Sequence, residues 1–217
     1  MRDLVIVGAG GFARETAAAA IHPWRVLGFL DDNPELHGTT RSGLKILGPV
    51  DMAADMPNAK VVVCVGNPRN YLARKHIVER LGLSEDRYAT VVHPAASVGG
   101  GSVVGPGSVL LAGAVLTADV TVGSHVAVMP QAVLTHDDVV GDYATIASGV
   151  RLGGGAILEQ GAYVGAGALI REGVTVGAWS LVGMGSIVLR DVPPDEVWAG
   201  TPARKLRDAE LTASLKR

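Results

Sequence analysis

From Val98 to Val188 every sixth residue is Val, Leu or Ile, sixteen positions with no break in phase. Four residues after each comes a second column, in which fifteen of sixteen members are Ser, Ala or Val; the exception is Asp138. A period of six is neither the 3.6 of a helix nor the plain alternation of a strand. It predicts short strands joined by regular turns and wound into a parallel β-helix, the aliphatic column pointing inward and the small column letting the backbone pass. A sandwich of short strands would space its turns irregularly. Glycine often follows the aliphatic residue, as at Gly105, Gly123 and Gly141, and its open backbone map is expected to serve a corner there.

Residues 1–88 have another texture. The strand-like DLVIV leads through a glycine turn into FARETAAAA, which reads as helix. The strand-like RVLGFLDD and KVVVCVGN follow, and then PRNYLARKHIVERL, again helical. Strands alternating with helices predict a small parallel α/β sheet, a Rossmann-like unit. Its turn sets Gly8, Gly10 and Ala13 at G-x-G-x-x-A spacing, after a strand and before a helix, where backbone N–H groups can approach a diphosphate. Gly10, Gly11 and Phe12 are therefore candidate substrate contacts. Asp31 and Asp32 end the next strand, about 20 residues on, where carboxylates can accept hydrogen bonds from ribose or a base. Gly66 and Asn67 follow a third strand at the same sheet edge, where ligands of open α/β sheets collect. A unit of 88 residues is short for a dinucleotide domain, so a mononucleotide or nucleotide-sugar is expected in preference to NAD.

Bulk properties narrow the classes. In 217 residues, 19 basic and 21 acidic side chains leave a formal charge of −2, with no basic stripe to neutralise nucleic-acid phosphates. The start lacks the layout of a signal peptide and no run of eighteen apolar residues occurs, so a cytoplasmic protein without a membrane span is expected. The single cysteine, Cys64, excludes an internal disulfide and reads as strand packing.

Within the repeat, THDD stands out. His136 occupies the third place of its hexad, off the aliphatic column, so its ring can reach a cleft. An imidazole near its ordinary pKa can take a proton from an attacking amine or hydroxyl, and an adjoining carboxylate can orient it and stabilise the cation. Asp137 and Asp138 both qualify. An interior charge at Asp138 would need a partner or an outward tilt, and Asp138 can alternatively tie down its own turn.

IVGAGGFARE, GFLDD, VGNPRN, VVHPAASVG, the hexads, THDD and the terminal VWAGTPARKL together resemble the bacterial hexapeptide-repeat acetyltransferases of nucleotide-linked amino sugars and of sialic acid. The resemblance spans nearly the whole chain. It implies a left-handed parallel β-helix with eighteen residues per triangular coil over residues 89–193, after the Rossmann-like domain at 1–88. It also implies a homotrimer, a nucleotide-sugar acceptor on the α/β domain, acetyl-CoA as co-substrate along the β-helix, and a role in polysaccharide biosynthesis. His136 becomes the general base and Asp137 its orienting partner, while the periodic anomaly still nominates Asp138. Gly154, one coil above His136, is expected to turn an N–H toward the thioester oxygen. Thr145, Ala166 and Gly183 fall to the same acetyl-CoA site, with Arg204 and Lys205 meeting its phosphates. Residues 194–217 are expected to form a loop over the cofactor and a terminal helix, the repeat having stopped at Pro193 and Pro194. Phe12 departs from the histidine that the bacillosamine-type enzymes carry in this turn, which implies a different acceptor or pose.

Two other readings fit the sequence: a catalytically silent sugar-nucleotide binder, and an NAD enzyme using the β-helix as an oligomerisation stem. No metal is expected. His93, His125 and His136 could build the zinc site of a carbonic-anhydrase β-helix only if they converged, and the spacing of His125 and His136 is no multiple of the coil.

Overall fold

A computed structural model describes residues 1–210. The N-terminal unit contains β1 (Arg2–Val7), α1 (Gly11–Ala19), β2 (Trp24–Leu30), β3 (Thr40–Arg41), β4 (Leu44–Gly48), β5 (Lys60–Val63) and α2 (Ala73–Leu81). The sheet order is β3-β4-β2-β1-β5. All pairings are parallel except β3 with β4, a hairpin that the sequence pattern does not announce. Its turn is Ser42-Gly43, with φ of 46° and 80°, the two positive values that a two-residue hairpin favours. β1 and β5 are buried on both faces, which explains their unbroken aliphatic runs. Gly8 is required by the fold: its φ is +100°, and a Cβ there would lie 2.9 Å from the Cys64 carbonyl oxygen.

The chain crosses to the second unit between Tyr88, bridged to Val61, and Val91, paired with Val109. From there two-residue strands recur every six residues and stack into three parallel sheets. Each residue pairs with the one eighteen further on, as Val115 with Val133 and Leu116 with Leu134. This is the left-handed parallel β-helix. The aliphatic column is buried from Leu110 to Val188, and only Val98 and Val104, in the first coil, lack a coil beneath them. In the small-residue column, Ser108 binds coils together: its Oγ accepts the Val126 N–H at 2.9 Å and donates to the Gly123 carbonyl at 2.8 Å.

The corner glycines play a part different from the one expected. The residue with positive φ, between 54° and 74°, lies three places after the aliphatic one, in every hexad from Gly101 to Gly185. The glycine directly after the aliphatic residue has no such φ; it is needed because the next coil passes too close. A Cβ on Gly165 would sit 2.6 Å from the Met184 nitrogen.

The end of the chain also departs from expectation. Val192 still bridges Val176, and Pro193 and Pro194 then stop the coiling. Glu196–Gly200 adds to the last sheet beside Leu181–Val182, and Ala203–Asp208 pairs back on it antiparallel. A hairpin therefore stands where a loop and the start of a helix were expected, because the sheet edge offers ladder partners that a lone helix lacks. The rest of that expected helix, residues 211–217, lies outside the described residues. Among the described residues no helix is long and apolar enough to cross a membrane.

Candidate active site

His136 lies in the turn between the strands Val133–Leu134 and Val139–Val140, at one corner of the prism. Its side chain is 68% exposed. Nδ1 meets Asp137 Oδ2 at 2.8 Å, and among the described residues Nε2 makes no hydrogen bond. Asp137 is the positive-φ residue of this hexad, at 64°, and the left-handed backbone swings its carboxylate beside the preceding ring. That hydrogen bond, ahead of the charge itself, raises the His136 pKa above its ordinary value; the nearby Asp138 charge adds to the rise. Asp138 is fully buried instead. Its Oδ2 accepts the Thr135 N–H at 2.7 Å and its Oδ1 the Ala156 N–H at 2.9 Å, one coil up. The structure thus brings Asp137 to the imidazole and gives Asp138 to the backbone.

Gly154 stands directly above the ring: a Cβ there would be 2.5 Å from both Cε1 and Nε2 of His136. A side chain there would force the imidazole to move. The N–H groups at this place in the hexad point outward, as Ser124 N–H to the Asp142 carboxylate and Ala178 N–H to that of Glu159 show.

The α/β turn is open. No atom lies within 4 Å of a Cβ built on Gly10 or Gly11, so neither packing nor φ demands glycine there. Gly10 caps α1 without a side-chain hydrogen bond, and the buried Ala13 brings the helix onto the sheet. The two acidic residues are engaged: Asp31 accepts the N–H groups of Ala9 and Asn33, each at 3.0 Å. Asp32 accepts Val50 N–H at 3.1 Å and pairs with Arg80 at 2.8 Å. Asp31 fixes the glycine turn; Asp32, half exposed, is the one still reachable by a ligand.

Phe12 and Gly66 meet the prism across a cavity of about 140 Å³, which Thr145, Tyr163 and Ala166 also line. Two predicted sets of residues, one for substrate and one for cofactor, thereby share a wall. Asn67, by contrast, is exposed and turns its Oδ1 to the Arg69 N–H at 2.9 Å. Arg74 was not foreseen. It is buried on α2, and its Nη2 donates to the Tyr143 and Ala144 carbonyls and to Thr145 Oγ1, at 2.7, 3.0 and 2.8 Å. Only folding brings its helix to the prism, so no local signal marks it. Gly183 packs beneath the terminal hairpin, where its Cβ would meet that of Ala199 at 2.8 Å. On the hairpin, Lys205 is held by Glu196 and Asp208, each at 2.7 Å, while Arg204 Nη1 turns to the Ala203 carbonyl at 2.9 Å. The structure does not bring Arg204 and Lys205 together with His136.

His93 and His125 make contacts within the fold. His93 Nδ1 accepts the Ala95 N–H at 2.9 Å. His125 is buried at another corner, edge-on to Tyr88 and stacked on Tyr143, with ring centroids 4.6 and 5.2 Å apart. Among the described residues no group of three His, Cys, Asp or Glu is placed to hold a metal ion.

A hexad prism thus stands behind an α/β domain, with an imidazole–carboxylate pair projecting at one corner. Residues 3–81 match the model of the PglD N-terminal domain. The structure superposes on the acetyltransferase domain of PglB from Neisseria gonorrhoeae FA1090 with a TM-score of 0.84 and 27% identity, covering 95% of this chain and 100% of that one. That domain is also known in complex with acetyl coenzyme A. PerB from Caulobacter crescentus, in complex with CoA and GDP-perosamine, matches with a TM-score of 0.73 and 25% identity over 93% of this chain and 96% of that one. WeeI from Acinetobacter baumannii AYE, 21% identical with a TM-score of 0.63, shares the fold over 95% of this chain and 100% of its own. Comparison with curated protein sequences gave no significant match. The chain is thus similar to the PglD N-terminal domain over residues 3–81, and over nearly its whole length to the solved PglB acetyltransferase domain and PerB.

Proposed function

We propose that the protein transfers an acetyl group from acetyl-CoA to an amino group of a nucleotide-linked sugar, with His136 as general base. The observation that carries this reading is the exposed His136, tied through Nδ1 to Asp137 and free at Nε2 beneath Gly154. The acceptor nitrogen attacks the thioester carbonyl carbon and loses its proton to Nε2; the C–S bond breaks as the tetrahedral oxyanion collapses, and the imidazolium returns the proton to the thiolate. Asp137 holds the tautomer that leaves Nε2 able to accept, and Gly154 N–H is the donor for the oxyanion. A silent binder would have no use for such a pair in an apolar repeat. The relatives solved with acetyl coenzyme A and with CoA and GDP-perosamine support donor and acceptor classes alike and speak against an NAD enzyme.

The acceptor is assigned to the turn at Gly10–Phe12 and the sheet edge at Asp32 and Gly66, reaching toward the cavity under Phe12. Acetyl-CoA is assigned to the prism, with Thr145, Ala166 and Gly183 along it. A trimer is part of the reading. Val103, Val139 and Ile157 share one ladder on the face that follows the His136 corner, with Thr121 between the first two, and are 57, 43 and 40% exposed. An aliphatic stripe of that kind is what a neighbouring prism covers, and covering it would close a cleft over His136. Both substrates are cytoplasmic metabolites, and a cytoplasmic enzyme serving surface-polysaccharide synthesis is the setting that follows.

The test is a panel of UDP-, GDP-, dTDP- and CMP-linked amino sugars with acetyl-CoA, following thiol release, on protein whose mass is read by sedimentation. One sugar nucleotide should support turnover by a trimer, and His136→Ala should lower kcat by about 10²–10⁴-fold. Full turnover by His136→Ala would rule out the general base, and a silent panel the reaction.

A further inference from the structure

Asp138 is the one charged residue of the small-residue column, and it follows the base by two places. Elsewhere in the column a serine suffices to bridge coils. Ser108 accepts the N–H eighteen residues on, as Asp138 Oδ1 does, at the same 2.9 Å, and satisfies itself by donating to a carbonyl. Ser102 accepts the Val120 N–H in the same way, at 3.1 Å. The second oxygen of Asp138 adds a bond no serine makes: it takes Thr135 N–H, the residue before His136, and closes the turn on itself. Thr135 Oγ1 in turn donates to the Leu152 carbonyl at 2.9 Å. Among the described residues no Lys or Arg pairs with Asp138, so a fully buried carboxylate rests on two backbone N–H groups alone.

We propose that Asp138 is a positioning residue for the base: it ties the turn that carries His136 to itself and to the coil above, and at neutral pH its carboxylate favours the protonated ring. This rests on the reading of His136 as the base. Burial pushes the Asp138 pKa up to about 6, with the two N–H bonds opposing. An acid with a raised folded pKa gives the fold most stability at low pH and loses it as pH rises through that value. At neutral pH the carboxylate is thus kept at a cost that a serine would avoid, and the benefit lies at the site. The groups facing His136 are few: Asp137 and Asp138 on its own turn, Ala118 and the exposed Asp119 on the coil below, Gly154 and Gly155 above.

The test uses the full-length protein with ¹³C-labelled histidine, titrated by NMR, with His136→Ala to assign the resonance. Asp138→Asn keeps the shape and removes the charge; Asp138→Ser installs the residue the column already accepts. In both, the His136 pKa should fall by about half to one pH unit, and the acid limb of kcat/KM should move down with it while KM for acetyl-CoA holds. A residue that only stiffens the coil would change Tm and leave that titration alone, so an unmoved His136 pKa in the folded variants overturns the proposal. The NMR readout needs no turnover, so failure of the proposed reaction would be seen separately, as a silent wild-type protein.

Discussion

At the scale of single residues the site divides its labour between neighbouring carboxylates. Asp137 reaches the imidazole because its backbone is left-handed, a conformation that Asp and Asn tolerate better than most residues. Asp137→Asn should therefore fold normally while losing the charge. In the proposed mechanism His136 accepts a proton, and Asp137 raises its pKa, so the wild-type acid limb of kcat/KM should lie above the ordinary histidine value of about 6.5. In Asp137→Asn the limb should move down and kcat should fall roughly ten- to a hundredfold, within the general-base contribution; a pH–rate profile of both proteins reads the two effects together. That THDD sets an imidazole beside a carboxylate was legible. Which acid touches the ring was not, because the answer turns on a φ angle that residue type alone does not reveal.

At the scale of the element, the hexad is two constraints that look alike in sequence. The inward aliphatic column keeps one residue class because every coil presses it into the same axis, so the period could be read directly. The positive-φ column could not: it admits Asp119, His125, Gln131 and Trp179 as well as glycine, since side chains there point away from the coil. The two glycine columns should respond differently to a methyl group. Gly149→Ala adds a Cβ with nothing nearer than 4.0 Å but at φ +72°, a cost of about 1 kcal/mol. Gly165→Ala drives a Cβ to 2.6 Å from backbone of the next coil, which cannot rotate away, and should cost about 3 kcal/mol or more. Calorimetry should place the Tm of Gly165→Ala well below that of Gly149→Ala; equal losses would mean that the coils can spread. The terminal hairpin failed to show in the sequence for a related reason. VWAGTPARKL reads as a loop and the charged residues after it as helix, and only the vacant edge beside Leu181–Val182 makes strand the better state.

At the scale of the whole molecule, the joint between the two units depends on groups whose partners are remote in sequence. Arg74 reaches from α2 to three acceptors on the prism, Tyr71 donates to the Trp179 carbonyl at 2.8 Å, and His125 is clasped between Tyr88 and Tyr143. None of these contacts follows from period or motif, whereas both units and their order did. His125 is the weak point in acid. Burial first, then the Arg74 charge, brings its pKa down to about 4, with Asp142 opposing, and its Nδ1 has no hydrogen-bond partner among the described residues. A histidine whose folded pKa is depressed gives its full stability above the unfolded value of about 6.5 and loses it as pH falls toward 4. The full span corresponds to a loss on the order of 3 kcal/mol. His125→Phe keeps the ring between the tyrosines and removes the titration. Its Tm should fall by several degrees less than that of the wild type between about pH 7 and pH 5, with the greatest difference in probes of the α/β domain, since the clasp includes Tyr88. Identical acid profiles for the two proteins would show that the joint tolerates a charged His125, and that acid sensitivity must be sought at another group.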